Sequence, residues 1–264
     1  MKLTPLQWSA IGGAALLIVL IAFMCETRPP NHQTLEKSRA LLAEVADSGV
    51  LLQAAKAQLD PQSQAQLEQL EAQVVQAPND SLRALHMETV AGWWYQLGRA
   101  DISGIYAERI AELRQDAPSW ALAGTTFSIC LQQPPQTDEK IRSFCRDHAL
   151  AAFEKAISLD PQDLNSRVNL ALVYVEMPPE DNPMKGIQML LALNEQYPDE
   201  PAVLLQLARL AIRTGQYERA AQRLQRVLAL APDHPKANCL MAQLLEQTDR
   251  AAEAAPYAAR CNTH

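Results

Sequence analysis

Residues 201–232, PAVLLQLARLAIRTGQYERAAQRLQRVLALAP, decide the fold. Leu204, Leu207, Ala208 and Ala211 recur at the spacing of one helical face, and Thr214-Gly215 then breaks the pattern with a turn signal. Ala220, Leu224 and Val227 resume it before Pro232 ends it. Two antiparallel helices approach closely only where small side chains face each other, and larger ones then fill the space toward the next unit. Ala208 and Ala220, 12 positions apart, are the expected facing pair. One hairpin leaves an apolar face uncovered, so further copies are expected to stack on it.

The copies are found by searching for other small pairs. Ala242 and Ala254 are again 12 apart. Ala171 and Gly186 are 15 apart, the three extra residues falling in MPPEDNP at 177–183. Gly124 and Ala149 are 25 apart, which places a 13-residue insertion in LQQPPQTDEK at 131–140. Four units follow, at 118–161, 164–198, 201–232 and 235–261, the last ending with the tail to 264 as a small, polar cap. The first holds Trp120, Phe127, Phe153, Ala156 and Pro161, and the second Leu170, Tyr174, Leu190 and Pro198. A fifth, degenerate unit lies at 84–115, with Ala91 and Ser103 as its small pair, Trp94 as its aromatic and Gly98 in its turn. Upstream, helical spacing at Leu35, Ala40, Leu41, Val45, Val50 and Leu51 and a second helix at 61–76, opened by Asp60-Pro61, read as a lead-in hairpin over 33–80, with a stalk that holds the array off a membrane as the alternative.

This pattern of a large residue, a Leu-small pair and an aromatic, then a small residue, an aromatic and a closing proline, resembles the tetratricopeptide repeat. Pro198 to Pro232 is 34 residues, the period of that family. The resemblance covers about two-thirds of the chain. It implies an all-α fold, a right-handed superhelical array of antiparallel helix pairs, with the first helices lining a concave groove that takes an extended or helical peptide. Carried over by register, the groove residues are Asn165, Val168, Asn169 and Leu172, then Leu205, Arg209, Ile212 and Arg213, then Lys236 and Gln243. Arg209, Arg213 and Lys236 beside two asparagines suit a carboxylate or an acidic peptide. The two-Lys, two-Asn, one-Arg arrangement with which some members clamp chaperone C-termini is not reproduced.

Composition agrees with helices: Ala, Leu, Gln and Glu dominate, aromatics are 5%, and no sheet is expected. The net charge of -7 and the absence of a Lys/Arg cluster argue against a nucleic-acid partner. Residues 6–24, LQWSAIGGAALLIVLIAFM, carry no charge over a length that matches a bilayer core of about 30 Å. They read as one transmembrane anchor between a tail at 1–5 and a linker at 25–32, with Trp8 at the headgroup level. A cleaved signal peptide and a lipoprotein acylated at Cys25 are the competing readings. The first lacks an A-x-A site, and in the second Phe23 and Met24 are bulky where small residues normally precede such a cysteine.

Cys239 and Cys261 sit 3 and 7 residues from the facing pair Ala242 and Ala254 on the same side, within reach of a bridge. Cys130 and Cys145 bracket the insertion and would clamp its base. Burial as free core thiols is the alternative. Two bridges imply an oxidising space, which in a bacterium is the periplasm. The charge balance opposes this orientation slightly, with Lys2 before the anchor and Arg28, Lys37 and Arg39 after it.

No HExxH, phosphate loop or GxSxG motif is present, so no catalytic residue, cofactor or small-molecule substrate is expected. Cys130, Cys145 and His148 are the best metal grouping, and they lack a fourth ligand. Of Trp93, Trp94 and Tyr95, helical alternation puts at least one in the core. The expected function is a scaffold or assembly factor for protein–protein interaction at the bacterial inner membrane, similar to anchored repeat proteins of the secretion translocon. The alternative is an escort module, like those presenting apocytochrome c for haem attachment. Thiol labelling of denatured, unreduced protein is predicted to find at most one free cysteine; four or five would remove the periplasmic assignment.

Overall fold

The computed structural model describes residues 48–132 and 138–261. The tail, anchor and linker expected at 1–32, Cys25, residues 33–47 of the lead-in hairpin, 133–137 of the insertion and 262–264 of the cap lie outside them. The chain divides into two compact units, Met1–Val50 and Leu51–His264. Among the described residues there are twelve helices and no strand. None of these helices is long and apolar enough to cross a membrane.

The helices are α1 Ser48–Ala57, α2 Pro61–Gln76, α3 Asp80–Gln96, α4 Ala100–Arg114, α5 Ala117–Leu131, α6 Glu139–Leu159, α7 Leu164–Glu176, α8 Lys185–Gln196, α9 Pro201–Arg213, α10 Tyr217–Leu230, α11 Pro235–Gln247 and α12 Ala251–Cys261. Their starts are written locally. Asp60, Asn79, Asp116, Asp138 and Asp163 cap α2, α3, α5, α6 and α7 by accepting from backbone N–H groups of the first turn, and a proline opens α2, α5, α9 and α11. Three hairpins share one turn. Gly98, Gly215 and Asp249 adopt positive φ, and the next residue's N–H donates back to the carbonyl of Trp94, Ala211 and Leu245 respectively.

Each helix packs mainly on its neighbours in the chain, and the first helices α5, α7, α9 and α11 also touch in succession. The core is accordingly a string of local clusters. One spans α4–α6 around Ala111, Ala123 and Ala152, one spans α7–α9 around Ala171, Leu190 and Val203, and one spans α9–α12 around Ala208, Leu224 and Ala242. All seven apolar positions read from residues 201–232 are buried. The small pairs meet where helices come closest. A Cβ at Gly186 would lie 2.5 Å from the Ala171 carbonyl oxygen and 2.6 Å from the Val175 nitrogen, and one at Gly124 would strike the Phe153 ring at 2.8 Å.

Two expectations are corrected. The insertion at 131–140 is not wholly a loop: Leu131 closes α5, while Glu139 and Lys140 open α6, with the Asp138 carboxylate accepting from Lys140 N–H at 2.9 Å. The extra length becomes helix because Phe144 and Cys145 find buried partners in Phe127 and Cys130. In α1, Val50 is exposed and Leu51, Leu52 and Ala55 face inward, a face rotated from the one first read. Glu71 ties this N-terminal part to α4. It accepts from Lys56 Nζ at 2.6 Å and from the Tyr106 hydroxyl, whose pKa is raised by burial and by that carboxylate.

Gly186→Ala is predicted to destabilise the fold by about 1–3 kcal/mol, because the added methyl meets backbone that cannot yield. Gly92→Ala, in open space on α3, should stabilise by about 0.5–1 kcal/mol, and urea denaturation separates the two signs. Asp116, held below the usual carboxylate range by the Ser119 N–H, contributes fully above its unfolded value of about 3.9 and loses the contribution as pH falls through its folded value. Asp116→Ala should therefore cost about 1 kcal/mol at pH 7 and much less near pH 2.

Candidate binding groove

Three first helices, α7, α9 and α11, wall a groove of roughly 480 Å³. α7 supplies Asn165, Val168 and Asn169, α9 supplies Ala202, Leu205, Gln206 and Arg209, and α11 supplies Lys236, Cys239 and Leu240. Each set repeats at three or four residues because those positions share a helical face. The start of α11 is fixed by Asn238, which is fully buried and donates through Nδ2 to the carbonyls of Pro232 at 2.9 Å and His234 at 3.1 Å. One turn of helix therefore carries both the buried anchor and the groove-facing Lys236 and Cys239.

The groove collects Asn165, Val168, Asn169, Leu205, Arg209 and Lys236 from the ten positions carried over by register. Leu172 lines an adjoining hollow between α5 and α7, with Asn169 shared between the two. Ile212 is buried in the α9–α12 cluster rather than presented to a ligand, since α9 has more than one apolar face to cover. Arg213 lies outside the groove and approaches Glu176 at 3.4 Å, and Gln243 is exposed without lining it. Ala202, Gln206, Cys239 and Leu240 were missed as groove positions. Their signal was present, because 202, 206 and 209 and likewise 236, 239 and 240 follow helical spacing.

The electrostatics of the site run against those of the chain. Although the whole sequence is at -7, no residue lining this groove is acidic, and two are cationic. Many other arginines are engaged: Arg226 holds Asp199 through two bonds of 2.5 and 2.8 Å, Arg250 holds Glu253, and Arg114 holds Glu88. Among the described residues, Arg209 and Lys236 have no such carboxylate partner. With the amides of Asn165 and Asn169 opposite and Val168, Leu205 and Leu240 as apolar surface, the groove can place charge-assisted hydrogen bonds on a carboxylate and bury aliphatic groups beside it.

Both cysteine pairs are bridged, Cys130 with Cys145 and Cys239 with Cys261, at Cα separations of 6.2 and 4.7 Å. The grouping of Cys130, Cys145 and His148 is thereby spent otherwise. Its sulfurs are bonded to each other, and His148 stacks on Phe144 with Nδ1 2.8 Å from Glu108 Oε2. Of the aromatic triplet, Trp94 is fully buried and meets Trp93 edge-on at 5.0 Å, while Tyr95 is half exposed.

Residues 181–244 and 211–260 match the tetratricopeptide repeat as a family. None of the curated proteins matches the sequence. Among solved structures, the chain is similar to MamA from Desulfovibrio magneticus RS-1, residues 41 to the end, at 14% identity and a TM-score of 0.42, covering 67% of this chain and 92% of that one. It is also similar to MamA of AMB-1 at 18% identity and a TM-score of 0.37, covering 69% and 91%. MamA of MSR-1 gives 18% and 0.38, covering 69% and 95%. Similarity of this degree says nothing about what either protein does.

Proposed function

We propose, from the premise that residues 181–260 of this chain are tetratricopeptide repeats, that the protein is a scaffold whose α7–α9–α11 groove holds an acidic or carboxylate-bearing segment of a protein partner. The observation that carries the reading is a groove with two cations and no acid in its wall, in a chain of net charge -7. The ligand chemistry is binding and orientation: the groove has no histidine, serine or carboxylate in its wall to act as a nucleophile–base pair. Each bidentate contact to an exposed carboxylate is worth little alone, so affinity rests on several contacts made together with apolar burial.

The place of this scaffold in the cell is part of the same proposal. The uncharged stretch at 6–24 supports a single anchor in a bacterial inner membrane, and two bridged cysteine pairs support a periplasmic position for the repeats.

Pull-down from detergent extracts of native membranes tests the groove. Partners recovered with the full-length protein should fall at least tenfold with Arg209→Glu plus Lys236→Glu and should weaken with added salt. Arg213→Glu, outside the groove, should retain them. Equal recovery by the double variant would remove the groove from the function.

A further inference from the structure

One wall residue of the groove is a disulfide-bonded cysteine. Cys239 lies on α11 one turn beyond Lys236, in the same groove as Arg209, and its bridge runs to Cys261 at the end of α12. Both of these cysteines are partly exposed, whereas Cys130 and Cys145 are both fully buried against Phe127, Phe144 and their neighbours. The two bridges therefore differ in the property that governs exchange, the access of an incoming thiolate to a sulfur along the S–S axis. They differ also in what they hold. The sealed bridge joins two long helices with many buried residues, while α12 buries only Ala254, carries Pro256 inside it and leaves most of its surface to solvent. The packing of Ala254 and Tyr257 on α11 remains when the second bridge opens.

We propose that Cys239–Cys261 is a thiol–disulfide exchange site that covalently captures a cysteine-bearing acidic peptide lying in the groove. The proposal rests on the groove reading for the peptide's position. The peptide thiolate attacks Cys239 Sγ, the sulfur in the groove wall. A new S–S bond forms between the peptide and Cys239 as the Cys239–Cys261 bond breaks, and Cys261 leaves with the electron pair and takes a proton from water. The peptide sulfur is oxidised as Cys261 is reduced, so the bridge itself is the oxidant. Attack by the Cys261 thiolate on the mixed disulfide reverses the step and frees the peptide. Arg209 and Lys236 draw the anionic peptide in and favour the ionised form of its thiol near the bridge. While the mixed disulfide exists, α12 is held to α11 by packing alone.

Reduced glutathione, an anionic cysteine peptide, is the probe. The full-length oxidised protein in detergent is mixed with it at pH 7.5, quenched with N-ethylmaleimide over a time course, and mapped by mass spectrometry. Glutathione should appear on Cys239 with maleimide on Cys261, at least tenfold faster than any modification of Cys130 or Cys145. The ratio of glutathione to cysteamine rates, cysteamine being a cationic thiol, should fall at least fivefold in Arg209→Glu plus Lys236→Glu and by a smaller factor in Lys236→Gln. Equal reaction of both bridges, an adduct confined to Cys261, or a rate ratio unchanged in both variants would overturn the proposal. Partner recovery in thiol-free buffer reads the groove independently: partners lost in the double variant together with equal reaction of both bridges would sink the exchange and leave the groove standing. Exchange confined to Cys239 with unchanged partner recovery would remove the groove partner instead.

Discussion

The contact between Gly186 and the backbone of α7, where even a methyl group would lie 2.5 Å from the Ala171 carbonyl oxygen, sets how near two helices of a pair can come. That nearness governs what surrounds it. When the paired helices approach so closely, the bulky side chains are displaced toward the next pair, where Leu190 and Leu193 of α8 meet Val203 and Leu207 of α9. Each pair therefore completes the core of its neighbour, and no central core exists among the described residues. The same device recurs at Gly104 under the Phe127 ring and at Gly124 under Phe153. Stability in such an arrangement is a sum of neighbour interfaces, and α12 is held to α11 by Ala254, by Tyr257 packed on the same cluster and by the Cys239–Cys261 bridge.

Stacking of this kind also makes the groove. α7, α9 and α11 are first helices of successive pairs and touch one another, so the faces they turn away from their partners form one continuous wall. Outside the groove several arginines reach across to another element, Arg226 to the Asp199 carboxylate and Arg114 to Glu88 as ion pairs and Arg167 to the Gln196 amide oxygen as a hydrogen bond. Within the groove, Arg209 and Lys236 have no carboxylate partner among the described residues. Exposed pairs contribute little to folding, so placing Arg209 and Lys236 without partners costs the fold little while giving the groove a sign opposite to that of the whole chain.

The disulfides divide along the same line between fold and surface. Cys130–Cys145 lies in the interior between α5 and the long α6, beside a cluster of Phe127, Phe144 and His148. It secures the two ends that flank the connection between these helices. Cys239–Cys261 joins α11 to α12, and Cys239 belongs to the lining of the groove.

Helix pairing was legible in the sequence because its cause is local. Residues 201–232 carry a face of Leu and Ala at helical spacing, a glycine that can take positive φ at 215 and small residues at 208 and 220, and each acts within a few residues of itself. Cysteine spacing measured from Ala242 and Ala254 brought Cys239 and Cys261 within reach for the same reason, and Cys130 and Cys145 were legible as the residues that bracket the insertion. What the sequence could not say is where an element turns once it has several apolar faces to satisfy. Ile212 fits the groove register, yet the α9–α12 cluster takes it inward; Arg213 leaves the groove for the side of Glu176; and the 131–140 segment becomes helix at both ends because Phe144 has a buried ring to meet. The sequence by itself determined the helices, their small facing pairs and the candidate bridges. Only the tertiary structure decided that Cys239 joins Asn169, Arg209 and Lys236 in one wall while Ile212 and Arg213 leave it, since which face of a helix lines the groove depends on how successive pairs stack.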